Sequence, residues 1–141
     1  MHARNLTFLL VFLPVVGCFS VSHADPTSIR QIESGKEFEL RPGQQAVLAN
    51  ELSIRFESVN GDSRCPSDVT CIQEGNASVV LSIISHGGES QKIELNTARR
   101  FSRSEHAGIY SIELVQLLPY PRSDRPIATE DYGVTLVVTK Y

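Results

Sequence analysis

Along most of the chain, apolar and polar residues alternate one for one. Lys36 to Arg41 places Phe38 and Leu40 on one face and Glu37, Glu39 and Arg41 on the other. Pro42-Gly43 then reads as a turn, since proline presets φ and glycine accepts positive φ. Ala46 to Ala49 resumes as a short strand. Leu52 to Glu57 carries the clearest period of two, with Leu52, Ile54 and Phe56 facing inward, and Asn60-Gly61 closes it. Ala77 to Ile84 is rich in Val and Ile on both faces, which predicts a central strand covered on both sides. His86-Gly87-Gly88-Glu89 reads as a hairpin turn, and Ser90 to Leu95 returns with Ile93 and Leu95 on its apolar face. Asn96 to Ala107 is polar and reads as a loop. Gly108 to Leu118 is a long strand stopped by Pro119-Tyr120-Pro121, because proline cannot donate to a ladder. Ser123 to Asp131 is a loop, and Tyr132 to Lys140 closes the chain as a strand. No window sustains the 3.6-residue period of a helix. The pattern predicts an all-β fold, an antiparallel β-sandwich or small barrel of six to seven strands.

One stretch departs from this pattern. Gly61 to Ala77 reads GDSRCPSDVTCIQEGNA and holds Cys65 and Cys71, with five residues between them, among turn-forming residues. Asp62 and Ser63 suit Asx and Ser turns onto nearby N–H groups. Arg64 stands near Asp62 and Asp68 and suits a fork onto one of them. Asp62, Arg64 and Asp68 are therefore candidates either for holding the loop in shape or for presenting it to a partner.

The N-terminus sets the chemistry of those cysteines. Leu6 to Val16 is an apolar run of eleven residues interrupted by Thr7 and Pro14. A helix needs roughly 20 apolar residues to cross a bilayer core of about 30 Å. The run fits the core of a secretory signal peptide instead. Two processing schemes compete. Cleavage after Ser22-His23-Ala24 leaves Asp25 first and makes residues 1–24 the signal peptide. Val15-Val16-Gly17-Cys18 resembles a bacterial lipobox, in which residues 1–17 are removed and Cys18 is lipidated. Residues 25–35 then read as a flexible tether and 36–141 as a single β domain. Both schemes export the chain and remove Cys18 from the pool of free thiols, so Cys65 and Cys71 are expected to form a disulfide. A redox-active pair is the alternative. It normally requires Cys-x-x-Cys at a helix start, which this spacing does not supply.

From Asp25 the chain has 117 residues, enough for one compact core. The whole chain carries a net charge of −3, and loss of Arg4 with the leader makes it −4. Mild acidity argues against a general nucleic-acid binder. Contact with membrane is expected only through the possible lipid anchor at Cys18.

The block Asp62-Ser63-Arg64-Cys65-Pro66, followed by Val69, Cys71, Gly75 and Ala77, resembles a widespread group of small bacterial envelope proteins and lipoproteins. Those proteins are similar in having an export leader and a β-rich body ending near Leu-x-Pro-x-Pro, here the looser Leu118-Pro119-Tyr120-Pro121. Where the group often has a tryptophan before Ala-Gly, this chain has Gln73-Glu74-Gly75, and it contains no tryptophan. The resemblance implies an exported β domain, in the periplasm or as an outer-membrane lipoprotein of a Gram-negative bacterium. It carries over no activity.

Other chemistry is sparse. A nucleophile needs a base within reach and a group to orient that base. His86 and His106 fall in turn or loop positions with no partner motif, and they read as solvated side chains. No zinc, calcium, phosphate-loop or nucleophile-elbow pattern is present, so no cofactor or metal is expected. Asn76-Ala77-Ser78 matches a glycosylation sequon at a strand start. Arg99, Arg100 and Arg103 share one loop and Arg122 and Arg125 another; at one end of a sandwich they would form a patch for an anionic partner. The expected function is that of a non-catalytic envelope domain that binds or stabilises a partner, either an envelope protein or a glycan. The alternatives are a hydrolase inhibitor that uses the Cys65–Cys71 loop, and an enzyme with a site assembled from scattered residues.

Overall fold

The computed structural model describes residues 29–141 apart from position 86. The expectations for the leader, for Cys18 and for His86 lie outside the described residues. The rest of the chain forms a sandwich of two β-sheets. The strands are β1 (Ile29–Ile32), β2 (Glu37–Leu40), β3 (Gln45–Leu48), β4 (Leu52–Asp62), β5 (Ala77–Ser85), β6 (Ser90–Asn96), β7 (Ser104–Ala107), β8 (Tyr110–Leu118) and β9 (Gly133–Lys140). One sheet has the order β1-β3-β4-β5-β6 and the other β2-β9-β8-β7. All pairings are antiparallel except β1 with β3.

The alternating residues fill the space between the sheets. Phe38, Leu40, Leu52, Ile54, Phe56, Val79, Leu81, Ile83, Leu95, Ile112, Leu114, Val134, Leu136 and Val138 are all buried in one cluster. Two strands keep that face through a change of parity. In β4 the register shifts between Phe56 and Ser58, and Val59 then packs on the core. In β8 it shifts between Leu114 and Gln116, after which Leu117 is the inward residue. An extra residue on one strand switches which alternate residues face inward, so both strands run on as long strands with a continuous apolar face.

Four expectations are corrected. Among the described residues the fold has nine strands, because two further short segments join the sheets. Ile29–Ile32, expected within a tether, lies parallel along β3, and Ile32 packs against the core. Ser104–Ala107, expected as loop, pairs with β8 through the turn at Gly108-Ile109 and buries Ala107. Strand β4 passes through Asn60-Gly61 to Asp62, carried by a further register shift at that point. Finally, β5 is paired on both edges but covered on one face: Ile84 is 43% exposed, because among the described residues no third layer lies over this sheet.

Candidate functional site at the cysteine-loop end

Beyond β4 and β5 the two chains continue to pair in a loosened ladder. Ser63 N donates to Asn76 O at 2.8 Å, and Cys65 N donates to Glu74 O at 3.1 Å. Asn76 N donates in turn to Ser63 Oγ at 3.1 Å. Between these rungs sits Gly75, at φ 66°, where an added Cβ would lie 1.7 Å from Ser63 O. Only glycine allows the two backbones to come this close. The disulfide joins Cys65 to Cys71 with their Cα atoms 5.9 Å apart, closing the tip of the loop.

Arg64 anchors the base of the loop. It is 7% exposed. Its Nε donates to Asp62 Oδ1 at 2.8 Å and its Nη2 to Asp62 Oδ2 at 2.6 Å, a bidentate ion pair. Its Nη1 donates to Leu117 O at 2.6 Å, and Nη2 also reaches Pro119 O at 2.8 Å. The guanidinium carbon lies 5.3 Å from the centre of the Tyr120 ring. Tyr132 Oη donates to Asp62 Oδ2 at 3.1 Å. Burial works to raise the Asp62 carboxyl, but the hydrogen bonds and charge of Arg64, with the Tyr132 hydroxyl, hold it below its ordinary value. Tyr132 is pushed up, first by burial and then by the neighbouring Asp62 charge.

Asp68, the other candidate partner for Arg64, points elsewhere. Its carboxylate accepts from Ser123 N at 2.9 Å and from the Ser123 hydroxyl, and those bonds hold its pKa down. Ser67 N donates to Pro121 O at 2.9 Å. The Asp-Ser-Arg-Cys-Pro block and the Leu118-Pro119-Tyr120-Pro121 segment, more than fifty residues apart, are therefore joined into one structure. That contact is non-local, and no signal in either segment alone announces it.

The five arginines do not act together. Arg103 turns inward: its guanidinium donates to Thr97 O at 3.3 Å, Leu114 O at 2.8 Å and Val115 O at 2.9 Å. Arg122 pairs with Asp124 at 3.0 Å, and Arg100 lies over the Phe101 ring at 5.0 Å. Arg99 and Arg125 are exposed. Thr97, Ala98 and Tyr120 line the same shallow depression of about 250 Å³ as Arg64 and Gly75, so both arginine loops lie at this end. Arg103 caps backbone carbonyls and Arg122 pairs with Asp124, so the five arginines do not form one free cationic patch.

Asn76, visible in the sequence only as part of a sequon, organises the neighbouring loop. Its Nδ2 donates to Asn96 Oδ1 at 2.8 Å and its Oδ1 accepts from Ala98 N at 3.0 Å. His106 is exposed on β7, with its ring 5.6 Å from that of Tyr141. Among the described residues, no group of three His, Cys, Asp or Glu side chains stands together in a way that could hold a metal ion.

This end of the molecule presents its apolar groups outward. Ile72, next to the disulfide, is fully exposed, and Val69 and Tyr120 are about half exposed. Comparison of the chain with family models, with curated proteins and with solved structures finds no match to any of them.

Proposed function

We propose that this chain is an exported, non-catalytic β domain of the bacterial envelope that binds or stabilises a partner protein through its cysteine-loop end. The observation that carries the reading is Ile72. It is fully exposed at the tip of a loop closed by a disulfide and stitched to the 119–123 segment by Ser67 and Asp68. Exposed aliphatic side chains gain little from water, whereas a pre-ordered loop loses little entropy on docking. A photo-crosslinking residue at position 72 tests the proposal in intact envelopes. It should capture a discrete partner, and the same residue at Ile109, on the turn at the other end of β8, should not. Equal capture from both ends, or none from position 72, would refute it.

The same exposed tip favours a narrower second reading, in which the loop enters the cleft of an envelope hydrolase as an inhibitor. Inhibition that is lost in Ile72→Asp would separate this reading from simple scaffolding.

A further inference from the structure

A sheet edge presents unpaired N–H and C=O groups that invite another strand, and folds generally guard such edges. Among the described residues the two sheets have four edges, and three of them are short. β1, β2 and β7 have four residues each. Where β7 stops, at the pair Ser104–Glu113, the guanidinium groups of Arg103 and Arg64 take over the carbonyls of Leu114, Val115, Leu117 and Pro119. The fourth edge, β6, differs. It runs for seven residues in unbroken register with β5 and contains no proline.

The direction of its backbone groups follows from two hydrogen bonds. Thr97 N donates to Ala77 O, one residue beyond the Ser78–Asn96 pair on each strand. That makes Ser78–Asn96 a pair that exchanges no bonds of its own. By alternation, the N–H and C=O groups of Ser90, Lys92, Glu94 and Asn96 point away from β5. Asn96 N confirms the direction by donating outward to Ser102 O at 2.9 Å. Lys92 and Glu94 keep their outward groups at the exposed edge.

We propose that β6 pairs antiparallel over Gln91–Leu95 with β6 of a second copy of this chain, about a two-fold axis at Ile93, the Asn96 end of the edge being already met by Ser102. In this register each Lys92 stands opposite Glu94 of the second copy. The two residues exchange both main-chain bonds while their side chains pair on the outer face. The two Ile93 side chains, each partly buried, meet on the core side. A register centred on residue 92 would oppose lysine to lysine, and one centred on 94 glutamate to glutamate. The sequence around Ile93 is therefore complementary to itself about one point, as an isologous interface requires. Lys92, an ordinary guard against foreign strands, becomes an attractive group only when its partner is another β6. The interface is small, so the dimer is weak and salt-sensitive.

Sedimentation velocity on the processed protein at rising concentration, at low and high salt, reads the association directly. Lys92→Glu or Glu94→Lys alone sets like charges opposite each other twice per dimer, and each should weaken dimerisation about tenfold or more. The double exchange Lys92→Glu/Glu94→Lys restores the pairing, and an equimolar mixture of the two single variants should form a heterodimer. Circular dichroism confirms that each variant is folded, which matters because Glu94 also accepts from the Ser78 hydroxyl. Three results would each overturn the proposal: a protein that stays monomeric up to about 1 mM, well above a weak dissociation constant; a dimer indifferent to the single reversals; or a folded double exchange that fails to dimerise.

Discussion

Replacing Arg64 with alanine should be among the most damaging substitutions available in this domain, for a reason specific to where its charge sits. The Arg64 and Asp62 side chains are 6% and 9% exposed. Removing the guanidinium leaves the Asp62 carboxylate with little water and only the Tyr132 hydroxyl as a side-chain donor, and it strips donors from the carbonyls of Leu117 and Pro119. Breaking a buried pair from one side costs about 3–5 kcal/mol. That is a large part of the roughly 5–15 kcal/mol by which a domain is stable. At about 4 °C per kcal/mol for a domain of this size, the thermal midpoint should fall by roughly 12–20 °C.

The pH dependence gives a sharper test. In the parent, the folded-state pKa of Asp62 lies below its unfolded value. Its stabilising contribution is therefore fully present above about pH 4, the ordinary aspartate value, and is lost as pH falls through the folded-state pKa. In Arg64→Ala burial acts without the opposing cation, the pKa rises, and the sign reverses: the variant should regain stability as pH falls from neutral toward 5. Thermal and urea unfolding across pH 4 to 8 reads both slopes. The double variant Asp62→Asn/Arg64→Ala removes the stranded charge and should be less destabilised than the single losses Asp62→Asn and Arg64→Ala combined, by about 2 kcal/mol. A loss under about 1 kcal/mol in Arg64→Ala, well short of the cost of breaking a buried pair, would show that Asp62 is not held by Arg64 as described. Strict additivity in the cycle would show the same.

Gly75→Ala should cost more than about 2 kcal/mol, since its Cβ meets a backbone oxygen that cannot move aside at a left-handed φ, whereas Gly35→Ala, with open space at a similar φ, should cost about 1 kcal/mol by calorimetry. Changing both Cys65 and Cys71 to serine should lower stability by about 2 kcal/mol while the sheets persist, because the loop that they close is short. Asp68→Ala should leave the thermal midpoint almost unchanged but speed amide exchange at Ser123, which has lost its acceptor. The proposed export is checked by mass spectrometry of the protein isolated from cells, which should find an N-terminus at lipidated Cys18 or at Asp25; an intact Met1 would refute that processing.

Where residues that meet in space are near in sequence, the fold was readable. The alternation in Glu37–Leu40 and Leu52–Phe56 determines which side chains are buried, and the period of two depends on nothing beyond the strand itself. The pairing of Arg64 with Asp62 was readable in part, because two residues is within an Asx turn's reach. β1 and β7 were not, for the opposite reason. Ile29–Ile32 and Ser104–Ala107 are only four residues long, too short to show a period of their own, and each becomes a strand because an unpaired edge already waits for it, on β3 and β8 respectively. Their information lies in the partner.

Arginine has two roles at this end. Arg103 and Arg64 sit in different loops, and in the sequence each resembles the exposed arginines beside it. Their common task is set by β8, which outruns β7 and leaves carbonyls with no strand to meet them. A guanidinium offers several donors in one plane and can serve two neighbouring carbonyls at once, which lysine's single ammonium does less well. Arg103→Lys should therefore free one of the Leu114 and Val115 carbonyls and loosen β8 near its bulge. Arg99→Lys, on the exposed part of the same loop, should change nothing. Hydrogen exchange at β8 distinguishes the two variants. Equal protection in both would mean that the edge of β8 is held by its pairing with β9 alone.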